Sequence, residues 1–396
     1  MDVTDNILSD IDRTKAVFLE QILKDSTSSY KYYWLKSIIV EVCAGNLVIP
    51  FSRLVSRMVS LAWYPIVSFH LSLGATDKLG EMISCIKESC LISRNPTIDE
   101  IVNVTDDAIV SNLVISKKAK QLTNYVPYRA IRPFYEKEVR HGQDCLKRKG
   151  IKRYDAYADK LIKEAMRLDP ERGLYSIQRF SENGEVIVLS ESWAAFIINN
   201  QPIVEGWLDY KLTCYLQARN PSVPAISLKL HPPIRRDLRI ASNFWKDVLA
   251  LTSFVDIYSR QSLTFQDLDS KGSLGIDHFI PWSFVMHNES WNLTPTFGAI
   301  NSSKSDKLPS LELYLVPFCE LQFDAIMTVR KHGHFYSHRH YLDSYRQIDP
   351  CFDEYVDNDA SRKSFSLAIS KTITPLFQIA WNQGYLRWEY DAGGIN

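Results

Sequence analysis

Between Leu274 and Pro309, the polar residues Asp277, His278, Asn292, Asn301 and Lys304 fall at intervals that leave few local folds open. Asp277 and His278 stand at the end of a predicted strand, and Asn292 lies in a second short apolar run. Thr294-Pro295-Thr296 is predicted to turn the chain. Phe297 to Asp306 reads as a short helix, with Thr296 as its N-cap and Pro309 just past its end. Asn301 and Lys304 are three residues apart on that helix and so share a face. The order is strand, loop, strand, helix, with polar groups converging from three elements.

That convergence suits hydrolysis of a phosphodiester. A hard divalent cation prefers oxygen ligands and accepts one or two from protein, the rest from water and phosphate. Asp277 offers a carboxylate and Asn301 an amide oxygen. Adjacent strand residues point to opposite faces, so His278 need not ligate the ion that Asp277 holds. A neutral imidazole can take a proton from the attacking water, while the cation stabilises charge on the phosphate and leaving oxygen.

The string IDHFIPWSFVMHNESWNLTPTFGAINSSKSDKLP, residues 276–309, resembles the HNH (ββα-metal) endonuclease family. It looks particularly like the HNH domain of CRISPR RNA-guided DNA nucleases, whose motif has Asn rather than His at the last position. The intervals from Asp277 through His278, Asn292 and Asn301 to Lys304 match that pattern without a gap. The resemblance implies that Asp277 and Asn301 ligate Mg²⁺, with Mn²⁺ able to substitute, and that His278 is the general base. Asn292 would hold the loop that orients His278, and Lys304 would brace the motif or contact phosphate.

Many HNH proteins carry zinc-binding CxxC pairs around the motif, and this sequence has none, so no structural zinc is expected. RuvC-type acidic motifs and a guide-binding scaffold are not recognisable, so guide-RNA use does not carry over. The whole chain also resembles bacterial HNH proteins with helical N-terminal regions, a type linked to restriction or anti-phage defence. By that resemblance the substrate is nucleic acid, DNA ahead of RNA. An RNA-cleaving toxin-type enzyme is the alternative, as is a nuclease subunit activated only within a partner complex. A homodimer, or a protein partner such as an ATPase or other defence component, fits the same picture.

Composition narrows the rest. Lys plus Arg equals Asp plus Glu at 46 each, so nucleic-acid binding must come from local patches. Lys211 to Lys246 holds seven basic residues and one acid. Within it Lys229, Arg235, Arg236 and Arg239 are candidate backbone contacts, joined by Lys307 and Arg339. The basic run from Lys147 to Arg153 is a weaker candidate. Seven scattered cysteines without a CxxC pair, and an acidic N-terminus without a signal-like apolar core, suggest reduced thiols and a cytoplasmic protein. The apolar stretch Met58–Leu73 is too short to span a membrane and reads as a buried helix pair. Trp282 and Trp291 are expected to pack the motif's core, and His287 to be a solvated loop residue. His334 and His338 would form a metal pair only on a helix, which Gly333 argues against.

The fold class expected is α+β: a mostly helical N-terminal region, then a mixed domain containing a zinc-free ββα-metal nuclease core. Residues 1–125 read as a helical domain for sensing, docking or DNA binding. Residues 126–172, with Pro127, Pro133, Gly142, Gly150 and Pro170, read as a basic linker region. Residues 173–396 read as the HNH domain, its core at 274–309. That last span begins with a hairpin, Tyr175 to Leu189, turning at Glu182-Asn183-Gly184-Glu185. A helix from Ser192 to Ala218 breaks at Pro202, prolines 221 to 233 mark a connector, and a helix runs from Arg239 to Tyr258.

Overall fold

Four prolines between Pro221 and Pro233 withhold backbone donors from one short stretch, and the chain divides there. Residues to Pro221 with Lys229–His231 form one unit; Ser222–Leu228 and Pro232 onward form a second. The structure, a computed structural model, describes residues 12–24, 28–93, 95–150, 155–180, 184–233, 236–265 and 274–391. The class is α+β.

The first unit begins with α1 (Arg13–Leu23), α2 (Tyr30–Cys43), β1 (Val48–Pro50) and α3 (Phe51–Trp63). Then follow α4 (Lys78–Ser89), α5 (Ile98–Ser111) and α6 (Leu113–Thr123). Tyr32 to Ile39 of α2 are buried all round, the pattern of a central helix. Trp34 Nε1 donates to Tyr175 Oη at 3.0 Å, and that hydroxyl donates to the Pro127 carbonyl at 2.6 Å. Glu41, 1 % exposed, accepts from Arg53 Nε at 3.1 Å and Arg57 Nη2 at 2.8 Å, the pairing a buried charge requires. The helix pair expected over Met58–Leu73 is instead the end of α3, a π-helical turn at Tyr64–Ser68 and non-helical chain beyond Phe69. Pro65 lies inside that turn, where its missing N–H interrupts the α ladder. No helix of the described residues is long and apolar enough to cross a membrane.

The expected linker is folded. It holds α7 (Val126–Ile131), α8 (Glu136–Arg148) and α9 (Asp155–Leu168). Ile131, Phe134, Tyr135 and Val139 are buried, and that helically spaced apolar face outweighs the proline, glycine and charge around it. The hairpin forms as β2 (Tyr175–Phe180) and β3 (Gly184–Leu189), and β1 joins it through Val48↔Val188 and Ile49↔Ile187. That pairing places the hairpin in the first unit, so the boundary lies near Pro221 rather than at 173. Of the expected turn, residues 182 and 183 lie outside the described residues. The helix expected over Ser192–Ala218 is α10 (Glu191–Asn199) and α11 (Gln201–Arg219), broken at Asn200.

In the second unit α12 (Arg239–Leu251) leads to two short paired strands, β4 (Phe254–Val255) and β5 (Ser262–Leu263). Next come β6 (Leu274–His278), a short α13 (Trp282–Val285), β7 (Leu293–Phe297), α14 (Gly298–Lys304) and β8 (Leu308–Pro309). Three helices follow, α15 (Leu311–Lys331), α16 (Arg339–Ile348) and α17 (Asp359–Asn382), and β9 (Arg387–Trp388) pairs in parallel with β8. One apolar core joins Phe279, Trp291 and Ile300 of the motif to Phe318 and Ile326 of α15 and Ile369 of α17. Gln322 of α15, fully buried, donates to the Leu293 carbonyl and accepts from Tyr345. The Tyr345 hydroxyl also lies 3.2 Å from the Ser290 carbonyl. The long helices thus staple the small motif through its backbone.

Candidate active site

β6 and β7 pair antiparallel, with Asp277 opposite Thr294 and His278 opposite Leu293. The ladder continues through a 2.8 Å bond from Phe279 N–H to the Asn292 carbonyl. Hydrogen-bonded and non-hydrogen-bonded pairs alternate, so Pro295, opposite Ile276, occupies a non-bonded pair where its missing donor costs nothing. The turn expected at Thr294–Thr296 is therefore strand. The helix starts at Gly298, with Phe297 rather than Thr296 at the N-cap and no side-chain cap bond.

Asp277 is 3 % exposed. Its Oδ2 accepts from the Tyr258 hydroxyl at 2.7 Å and its Oδ1 faces Lys304 Nζ at 3.1 Å. Lys304 has no exposed surface, and its ammonium also donates to the His278 carbonyl at 2.7 Å. It ties α14 to β6 from inside. Burial pushes the Asp277 carboxyl up and the Lys304 ammonium down, each offset by the opposite charge of the other. Asn292, also fully buried, accepts from Ile280 N–H at 2.7 Å and donates to the Ile280 carbonyl at 2.9 Å. Both bonds clamp the chain two residues after His278. Asn301, half-buried, lies across Gly275, where an added Cβ would meet its Nδ2 at 3.4 Å.

His278 is 2 % exposed. Its Nε2 lies 2.9 Å from Asn288 Oδ1, and Asn288 Nδ2 donates to the Asp237 carbonyl at 3.1 Å. With its NH₂ engaged there, the amide turns its oxygen toward the ring, so Nε2 carries the proton and Nδ1 the lone pair. Among the described residues Nδ1 has no partner. A buried polar atom left so marks a place for a missing atom of substrate, water or ion. Burial holds the imidazole down to about 3, outweighing the upward pull of the Asn288 hydrogen bond, with lesser downward contributions from the positive charges of Arg236 and Lys304.

Five of the expected site residues, Asp277, His278, Asn292, Asn301 and Lys304, are thus brought together. The expected nucleic-acid contacts separate. Arg236 is exposed, with its guanidinium 5.8 Å from the Trp282 ring, and its charge acts on His278. Arg239 is exposed but forked onto Asp237 at 2.7 and 3.0 Å. Lys307 turns back to the Ser303 carbonyl at 3.2 Å, and Arg339 is exposed beside Tyr336. Lys229 must be corrected: it has no exposed surface to offer a phosphate, and burial pushes its ammonium down to about 7. Arg235 lies outside the described residues. His338 precedes α16 and faces Asp247 at 3.0 Å, so no helical pair with His334 forms. Trp282 and Trp291 are buried, as their core role requires.

Two partners had no sequence signal. Tyr258 was expected to end a helix that stops at Leu251, and Asn288 was one polar loop residue among several. Asp277 and Asn301 present hard oxygen donors from neighbouring elements. Among the described residues no group of three or more His, Cys, Asp or Glu could hold a metal. The pair fits a hard cation that takes most of its shell from water and phosphate.

The HNH endonuclease family model matches residues 256–310. This segment is an HNH endonuclease unit. The match takes in Tyr258 along with β6, β7 and α14, so the tyrosine holding Asp277 lies inside the HNH unit. No curated protein and no solved structure matches the chain. The match supports a nuclease activity acting on nucleic acid.

Proposed function

We propose that this protein is a divalent-metal-dependent endonuclease that hydrolyses DNA phosphodiesters, with His278 as the general base. The carrying observation is the buried Nδ1 of His278, without a partner among the described residues, on a ring fixed through Nε2 by Asn288. Asp277 and Asn301 would hold one Mg²⁺ or Mn²⁺, which supplies positive charge for the phosphate and leaving oxygens. His278 Nδ1 accepts the proton of the attacking water. Asn292 and Lys304 keep β6 and its loop in place, and Tyr258 fixes the carboxylate of Asp277. Arg236 is the best placed of the candidate basic residues to meet the phosphate backbone. On the resemblance alone we assign the enzyme to restriction or anti-phage defence.

His278→Ala should keep the fold and DNA binding and lose cleavage by about 10²–10⁴-fold. Cleavage at the wild-type rate by that variant would overturn the assignment. Parallel assays on duplex DNA, single-stranded DNA and RNA decide the substrate, and RNA cleavage alone would replace DNA in the reading. Restriction of phage plating by the wild type and not by His278→Ala tests the defence role.

A further inference from the structure

The first unit has a cleft of about 690 Å³ that the nuclease chemistry does not use. That volume suits a small ligand. Five cationic side chains line it, Lys24, Lys31, Arg129, Arg132 and Arg140, against the single carboxylate of Glu136. Glu136 is shared, with Arg132 Nε at 3.0 Å and Arg140 Nε at 2.8 Å. Lys31 Nζ donates to the Ile22 carbonyl at 3.0 Å. Arg129 and Lys24 have no acidic partner among the described residues. The Arg129 guanidinium lies 4.6 Å from the ring centre of Tyr125, a side chain 54 % exposed.

Ala158 and Ile162 of α9 line the cleft too, adding an apolar patch to its cationic lining.

We propose that this cleft binds a small ligand carrying clustered phosphates, of the nucleoside polyphosphate class. Like charges lining one cleft repel one another, and an anion relieves that repulsion. Arginine forks match phosphate oxygens in pairs, and a single phosphate would leave most of the cations unmatched. The ring of Tyr125 and the apolar patch suit a base. A nucleic-acid backbone calls for charge extended along a surface, whereas here it converges on one cleft.

The test is calorimetric titration and thermal unfolding of the full chain in EDTA, which stops cleavage, with ATP, tripolyphosphate and a short single-stranded DNA as probes. ATP should bind, raise Tm and weaken with salt. Arg129→Glu and, separately, Lys24→Glu change exposed side chains that the fold does not need. Each should weaken ATP at least about tenfold, while duplex DNA binding stays unchanged. Tripolyphosphate binding as tightly as ATP would support a site that reads phosphates, and tighter ATP binding a site that also reads the base. The proposal falls if neither ATP nor tripolyphosphate binds, or if Arg129→Glu leaves their affinity intact. It falls too if the oligonucleotide binds through Arg129 and ATP does not.

Discussion

His278 Nε2 and Asn288 Oδ1 lie 2.9 Å apart, and the asparagine cannot rotate without breaking its 3.1 Å bond to the Asp237 carbonyl. A loop residue ten positions away thereby decides which nitrogen of the ring carries the proton. A hydrogen bond that selects the tautomer of a functional histidine is commonly worth 10–100-fold in activity.

Asn288→Ala should therefore lower kcat by about 10–100-fold and leave KM for DNA nearly unchanged. Nitrogen NMR of the His278 ring should show a mixture of tautomers where the wild type shows one. Unchanged kcat would leave Asn288 a merely structural residue.

The Asp277–Lys304 pair is almost wholly buried. Lys304→Met strands a buried carboxylate, at a cost of about 3–5 kcal/mol in urea unfolding. Adding Asp277→Asn should recover part of that loss, a coupling that a double-mutant cycle measures directly. Simple additivity would count against the pair.

Tyr258→Phe deletes only the hydroxyl that donates to Asp277 Oδ2. We expect Mn²⁺ affinity to weaken about tenfold in a calorimetric titration, with folding cooperativity retained. Equal affinity would show that the carboxylate holds its direction without the tyrosine.

The His278 imidazole is held down to about 3 from its ordinary 6.5, chiefly by burial. Between those values the unfolded chain takes up a proton that the native chain refuses. This contribution is complete above pH 6.5 and is lost as pH falls toward 3, with a slope of up to about 1.4 kcal/mol per pH unit. In denaturant melts without metal, His278→Gln should lose stability less steeply than wild type between pH 6.5 and 4. Parallel slopes would contradict a neutral buried ring.

Arg236→Ala should weaken DNA binding across sequences and reduce the salt slope by about one. Lys229→Ala should leave that slope unchanged, because its ammonium has no exposed surface. The opposite ranking would move the DNA-binding face away from His278.

Much of the site is legible in the sequence because its parts are local. Asp277, His278, Asn292, Asn301 and Lys304 sit at short fixed intervals, and strand and helix periodicity brings them together. Pro295 misled for a general reason: prolines end strands, and only the parity of the β6–β7 ladder shows this one to be harmless. Tyr258, Asn288 and Gln322 were invisible because tertiary packing, not spacing, selects their partners. The helices of residues 126–172 were masked by proline, glycine and charge, although Ile131, Tyr135 and Val139 carry a helical stripe. Lys229 shows that a count of charges says nothing about which of them reach water.

One more consequence follows from the parallel pairing of β8 with β9. Trp388 Nε1 reaches Ser303 Oγ at 3.2 Å across 85 residues of chain, and Ser303 lies on α14 beside Lys304. Closing so long a loop is slow and forms late in folding. The residues of the motif can meet as a hairpin and helix early, yet the surroundings that bury Asp277 and Lys304 arrive only with the whole unit. Folding intermediates of this nuclease would then be chemically silent, and its activity would rise with global order in a single step.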